Sequence, residues 1–221
     1  MAAISASKHV KNGSIVGLGS GTTVVYAFQE LSRKIKETKL NIVGVPTSYQ
    51  ASQIATKYGI PLTTLDENPQ LDITLDGADQ IDNDLNMIKG MGGALTKEKI
   101  VASASRMNII MVDETKLTEK LGINQPVPIE VIPFALPLVQ QKLRHLGSNP
   151  ILREAKKKLG PVITDNGNLI LDVDFGPIDN PKELNQILKV IPGIVETGLF
   201  LELADIIYVG RKETTSKLEK K

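Results

Sequence analysis

The chain has 221 residues, enough for one large domain or two small ones, and a chain of this size buries roughly 70% of the surface its unfolded form exposes. Its 26 basic and 25 acidic residues give a formal net charge of +1, so no bulk field draws it to nucleic acid or to a membrane, and an anionic ligand must be held by local geometry. It has no cysteine, which excludes disulfides, thiolate nucleophiles and cysteine metal sites. Its two histidines, His9 and His145, lie far apart in sequence and read as structural or solvated. No apolar run approaches the ~18 residues of a membrane span, and the first thirteen residues lack the apolar centre of a secretory signal, so a cytoplasmic protein is expected.

In chain order, residues 14–18 predict a buried strand. Val24, Phe28, Leu31 and Ile35 then recur at helical spacing. Residues 41–45 predict a second strand, followed by a helix with Ala51, Ile54, Ala55 and Tyr58 on one face. Residues 71–75 predict a third strand, residues 95–104 a helix and residues 108–112 a further apolar strand. Strands alternating with helices argue for a parallel sheet covered on both faces.

The pattern changes near Asn124. A proline-rich extended segment (residues 125–133) precedes a helix carrying Leu136, Val139 and Leu143. Asn166-Gly167 sits between two alternating runs, a hairpin signal because Asn-Gly suits the positive φ angles of a tight turn. Pro181 opens a helix through Leu188, and residues 191–200 return as a strand. This β-α-β-β-α-β order suggests a small split-βαβ domain. Residues 204–210 form a last strand able to rejoin the first domain, and the lysine-rich end, residues 217–221, is expected to fray. The expected fold is α/β: a Rossmann-like, mostly parallel sheet domain (1–123 plus 206–221) with a smaller α+β, ferredoxin-like domain (124–205).

Four stretches carry candidate chemistry. In residues 17–23 (GLGSGTT) three glycines expose backbone N–H groups, Ser20, Thr22 and Thr23 add hydroxyls, and a helix N-terminus follows; this suits a phosphate cradle, or a tight turn with a hydroxyl cap. It is neither GxGxxG nor a P-loop. Residues 75–80 (LDGADQ) put Asp76 and Asp79 just past a strand, where ligands bind in open α/β sheets; a solvated acidic turn is the plainer alternative. Residues 89–98 place Lys89 beside a glycine-rich turn and Glu98 in the following helix, where an ordinary first-turn acid is the plainer alternative. Residues 112–116 end a strand with Lys116, which reaches for an anion or for solvent.

The four stretches, together and in this order, resemble ribose-5-phosphate isomerase of the A type. The family's GxGTGST loop is similar to residues 17–23, its DGADE to 76–80, its KGGGGAxxxEK to 89–99 and its D-x-S-K to 113–116. The likeness continues through PIEVIP (128–133), TDNGN (164–168) and IPGIVETGLF (191–200). The resemblance implies an aldose–ketose isomerase that interconverts ribose 5-phosphate and ribulose 5-phosphate in the non-oxidative pentose phosphate pathway, without metal or organic cofactor, as a homodimer or homotetramer whose smaller domain is lid-like. It implies substrate contacts from Ser20, Gly21, Thr22, Thr23, Asp76, Gly77, Ala78, Asp79, Lys89, Gly90, Met91, Gly92 and Lys116. Glu98 would be the proton-transferring base, with Asp76, Asp79 and Lys89 beside the reaction. Gln80 replaces the family's glutamate and Met91 a glycine. No residue matches the basic group that members often carry upstream of the first helix, a departure that bears on phosphate affinity. The alternatives are a non-catalytic sugar-phosphate sensor, by fold analogy, and a coenzyme A transferase-like enzyme with a glutamate nucleophile.

Overall fold

The structure is a computed structural model that describes residues 1–219. The helices are α1 (Ala2–Ser7), α2 (Thr22–Thr38), α3 (Tyr49–Lys57), α4 (Leu95–Ser103), α5 (Leu136–His145) and α6 (Pro181–Lys189). The strands are β1 (Ile15–Leu18), β2 (Val43–Pro46), β3 (Ile73–Asp76), β4 (Gln80–Ile81), β5 (Met87–Ile88), β6 (Asn108–Asp113) and β7 (Val127–Val131). They continue with β8 (Asn149–Leu152), β9 (Leu169–Asp174), β10 (Ile194–Thr197), β11 (Leu199–Phe200), β12 (Ile206–Gly210) and β13 (Thr215–Glu219).

Two compact units form. The first comprises Met1–Ala78, Lys97–Lys116 and the residues from Glu202 on; the second comprises Asp79–Thr96 and Leu117–Leu201. The sequence expectation of 1–123 plus 206–221 and 124–205 thus differs from this division mainly at residues 79–96, which lie with the second unit.

The first unit is built on a six-stranded sheet in the order β13-β12-β6-β3-β1-β2, parallel except for β13. Its central strands are apolar on both faces, as a sheet covered by helices requires; β6 is buried from Asn108 to Val112. Helix α2 turns Val24, Ala27, Phe28 and Leu31 inward, with Phe28 and Leu31 fully buried against Leu18, Leu75 and Met111. Residues 217–219, expected to fray, pair instead with β12, because Leu218 and its neighbours complete an antiparallel ladder on an otherwise open edge; Lys220 and Lys221 lie outside the described residues. The chain order reverses between β1 and β3, and that reversal marks where a ligand crevice opens in sheets of this kind.

The second unit holds a four-stranded antiparallel sheet, β10-β7-β9-β8, with α5 and α6 as its crossovers, which is the ferredoxin-like arrangement expected. Val127, Ile129, Val131, Leu171 and Val173 bury one face against Val139, Leu143 and Leu188. A second small sheet, β11-β5-β4, stands beside it.

Two expected elements come out differently. The strand over 191–200 divides at Gly198, whose N–H donates to Pro128 O at 2.6 Å while its carbonyl accepts from Lys89 N at 2.9 Å. A Cβ there would stand 2.4 Å from Lys89 O, so only glycine lets the chain cross from one sheet to the other. The 166–167 hairpin has one long arm: β9 pairs with β7 over residues 169–173 and with β8 over 171–174, and the 161–164 side forms only the isolated Ile163–Leu169 bridge with it. Within residues 164–168 positive φ occurs at Gly167 alone, so the turn is a three-residue loop with a left-handed glycine. It is held by Glu130, a fully buried carboxylate that accepts from Thr164, Asn166 and Asn168.

Candidate active site

In the first unit, β1, β2, β3 and β6 run parallel, so the loops leaving their carboxyl ends share one edge of the sheet. Residues 19–21 leave β1, Thr47 and Ser48 follow β2, Gly77 and Ala78 follow β3, and Glu114–Lys116 form a 3-10 turn after β6. At the β1–β3 reversal the backbone of Gly19 lies against Asp76, where a Cβ would sit 2.2 Å from Oδ1. The Asp76 carboxylate is buried, and Oδ1 accepts from the N–H of its own neighbour Gly77 (2.7 Å) and of Ser20 (3.3 Å). Sequence-predicted residues from two distant stretches are thus joined directly.

Ser20 is held further by two residues that the sequence reading did not single out. Its hydroxyl lies 2.9 Å from Thr47 Oγ1 and donates to Ser48 Oγ at 2.5 Å, while Thr47 Oγ1 donates to Leu18 O at 3.0 Å. The available signal was Ser48 as the cap of α3, accepting from Ala51 N at 3.0 Å. Thr22 and Thr23 open α2, so the hydroxyl loop ends on a helix N-terminus with its partial positive charge.

Glu98 lies in the first turn of α4 and is buried, 5% exposed. Val101, one turn on, shares its face of the helix, and a Cβ on Gly17 would come 2.6 Å from Val101 Cγ1, so this face of α4 lies over β1. Lys116 ends the 3-10 turn that Asp113 caps: Thr115 N donates to Asp113 Oδ1 at 2.9 Å and Thr115 Oγ1 contacts the same oxygen. The Thr115 hydroxyl bond, more than the nearby Lys116 charge, holds the Asp113 carboxyl below its ordinary pKa.

In the second unit, the β4–β5 pairing brings Asp79 and residues 89–92 together, since Gln80 stands opposite Ile88. Asp79 N donates to Ile88 O at 2.9 Å, and Asp79 Oδ2 accepts from Met91 N at 3.0 Å. Lys89 is buried, with its ammonium 5.3 Å from the centre of the Phe200 ring, a cation–π distance. Gly90 is buried, whereas Met91 and Gly92 are exposed.

A family model described as ribose 5-phosphate isomerase A (phosphoriboisomerase A) matches residues 43–214. The chain belongs to the ribose-5-phosphate isomerase A family. Ribose-5-phosphate isomerase A of Thermosynechococcus vestitus is 51% identical over 93% of this chain and 87% of its own length, and that of Methanosarcina acetivorans is 48% identical over 98% and 92%. Among solved structures, ribose 5-phosphate isomerase A from Methanocaldococcus jannaschii superposes with a TM-score of 0.95 at 44% identity, over 99% of this chain and 96% of its own. A D-ribose-5-phosphate isomerase in complex with phospho-erythronic acid superposes with a TM-score of 0.96, at 44% identity and the same coverage.

Of the departures from the isomerase A family's motifs, Gln80 has a clear local fit. Its carbonyl accepts from Gly122 N and its amide donates to Ile123 O, both at 2.8 Å. A glutamate would offer no donor to the second, so the neutral amide satisfies this buried position. Met91 carries its side chain outward, its sulfur 3.8 Å from Arg153 Nη2. Neither histidine stands among these residues: His9 bonds to the Tyr208 hydroxyl at 2.8 Å, and His145 is exposed at the end of α5. Among the described residues, no three His, Cys, Asp or Glu side chains group as metal ligands would, and no helix is long and apolar enough to cross a membrane.

Proposed function

We propose that the chain interconverts D-ribose 5-phosphate and D-ribulose 5-phosphate, the aldose–ketose step of the non-oxidative pentose phosphate pathway. The observation that carries this reading is the likeness, over 99% of the chain, to an isomerase that binds phospho-erythronic acid. The carboxylate of that sugar acid is a planar, charged mimic of an enediolate, so a site that holds it is built for charge at the reacting end of a phosphorylated sugar.

The reaction needs one base serving two adjacent carbons and a donor for the oxygen that gains charge. In this reading Glu98 takes the proton from C2 of the aldose and the electrons move onto the carbonyl oxygen at C1; the C2 hydroxyl proton then passes to the C1 oxygen, and as C2 becomes the carbonyl the same carboxyl returns its proton to C1. Ser20, Gly21, Thr22 and Thr23 hold the phosphate with N–H groups and hydroxyls at the head of α2. Asp76, Gly77, Ala78 and Asp79 receive the sugar hydroxyls. Lys89 with Gly90, Met91 and Gly92 stabilises the developing charge, and Lys116 supplies a further contact. What supports these assignments is the direct link of Ser20 to Asp76, the shared edge of the strand ends, and the junction of Asp79 with the glycine turn.

Mixing the purified protein with ribose 5-phosphate and following ribulose 5-phosphate tests the reading. A sensor would bind without turnover, and a coenzyme A transferase would leave the sugar unchanged until given an acyl-CoA. We further infer a cytoplasmic homodimer or homotetramer, which sedimentation would size.

A further inference from the structure

The glycine turn after Lys89 is gripped by side chains of its own unit. The peptide between Gly90 and Met91 is held at both ends: its N–H donates to Asp79 Oδ2 at 3.0 Å, and its C=O accepts from Nη1 of Arg153 at 2.9 Å. The carbonyl of the next peptide, Met91 O, accepts from the same Nη1 at 3.0 Å. Arg153 follows β8 and is itself anchored on β9. Its Nε donates to Asp172 Oδ2 at 2.8 Å, and Nη2 contacts Asp172 Oδ1. The two side chains are only 12% and 20% exposed. One planar guanidinium therefore uses one edge on a carboxylate and another on two carbonyls, a division that a lysine ammonium cannot reproduce.

Peptide geometry carries this grip to Gly92. No described peptide bond is cis, and in a trans peptide N–H and C=O point in opposite directions. The Met91 carbonyl points at Arg153, so the Gly92 N–H, in the same peptide, points away from it. Gly92 is exposed, and a Cβ there would meet nothing within 4 Å, so the space beside this peptide is open. Gly90 and Gly93, with φ of 105° and 82°, place few restraints of their own on these peptide planes. The turn closes on itself with Gly93 N donating to Gly90 O at 2.9 Å, a bond that leaves the central 91–92 peptide able to turn over, and Arg153 holds that peptide through the Met91 carbonyl.

We propose that Arg153 is a positioning residue of the isomerisation: by holding the carbonyls of Gly90 and Met91 it aims the Gly92 N–H at the oxygen that gains charge in the enediolate. The inference rests on the reading that residues 89–92 serve the sugar. Arg153 acts through the turn and needs no contact with substrate. Released, the 91–92 peptide can turn over and present a carbonyl oxygen to developing negative charge, which replaces an attraction by a repulsion.

The test compares wild type, Arg153→Lys and Asp172→Asn, the last keeping shape while loosening the guanidinium. Three quantities are measured: kcat and KM for ribose 5-phosphate, the affinity for phospho-erythronic acid, and the affinity for ribitol 5-phosphate, which carries no charge at the reacting oxygen. For Arg153→Lys, kcat should fall by about 10²-fold, the effect of losing one donor to an oxyanion, with a KM change under about threefold. Phospho-erythronic acid should weaken in step with kcat, while ribitol 5-phosphate binds as before. Asp172→Asn should show the same pattern more weakly. A variant that merely loosens the fold would weaken both ligands together, and that outcome overturns the proposal. So does a kcat within about threefold of wild type. An inactive wild type would refute the isomerase reading itself, whereas an active wild type with an equally active Arg153→Lys refutes only the role of Arg153.

Discussion

Replacing Glu130 should be among the costliest single changes in the second unit. Its buried carboxylate accepts from Thr164 Oγ1 (2.9 Å), Asn166 Nδ2 (3.0 Å) and Asn168 Nδ2 (2.8 Å) on Oε1, and from Thr96 Oγ1 on Oε2. Glu130→Ala removes the acceptor of all four. Thr164 is buried and loses its partner outright, Asn166 is exposed and recovers water, and Thr96 and Asn168 are intermediate. At about 1.5–3 kcal/mol per hydrogen bond to a charged group, counting Thr164 in full and the intermediate pair at half, the loss is about 3–6 kcal/mol. Relief from burying a carboxylate offsets part of this, leaving about 2–5 kcal/mol. In a chain of this length that corresponds to a Tm lower by about 4–20 °C. Glu130→Gln should cost far less, about 1–2 kcal/mol, because its carbonyl can take the three-donor position while the Thr96 hydroxyl rotates to accept from the amide. Calorimetry of the three proteins at one pH decides the matter. A Tm within about 3 °C of wild type for Glu130→Ala, or equal losses for both variants, would refute the reasoning. Thr96 is the second residue of α4, so the same loss loosens the first turn of the helix that carries Glu98.

Other outcomes follow from the site. Glu98→Gln keeps shape and removes the proposed base, so kcat should fall by at least about 10²–10⁴-fold with a smaller change in KM; a fully active variant would pass the role to Asp76 or Asp79. In heavy water, product formed by wild type should gain deuterium at the transferred position, read by mass spectrometry. Thr22 is exposed at the start of α2, so Thr22→Asp should leave Tm unchanged or slightly raised through the helix dipole, yet raise KM for the phosphorylated sugar about tenfold or more. Exhaustive chelation should leave activity intact, and a loss restored by a divalent metal would contradict hydroxyl binding by Asp76 and Asp79. Burial, with Lys217 adding to it, lowers the His9 pKa below 6.5. The unfolded chain therefore binds the proton more readily, and the stability this group contributes is full above 6.5 and lost as pH falls through its folded pKa. Urea unfolding at stepped pH should show that slope, and His9→Gln should flatten it.

The alternation of apolar strands and helical repeats, with glycine and hydroxyl runs at the strand ends, sufficed to place β1, α2, β2, α3, β3, α4 and β6, because buried parallel strands and amphipathic helices write their burial into local periodicity. The same local signals gave the βαββαβ order of the second unit and flagged Ser20, Asp76, Asp79, Lys89 and Glu98 by residue type and position. Other features depend on partners far away in the chain, and no window of sequence contains them. Gly198 reads as one residue of a single strand until Lys89 and Pro128 divide it between two sheets. The 217–219 segment reads as a charged tail until β12 offers it a ladder. Thr47 and Ser48 join Ser20 in the loop after β1 only because β2 lies beside β1, and Glu130 becomes a hub only when four donors from residues 96–168 converge on it. Arg153 is the plainest case: in sequence it is one basic residue before a lysine run, and in the fold Asp172 turns its guanidinium onto the carbonyls of Gly90 and Met91. Side-chain chemistry was present from the start, but the direction in which each group points is set by the packing of strands distant in sequence, and only the tertiary structure fixes that.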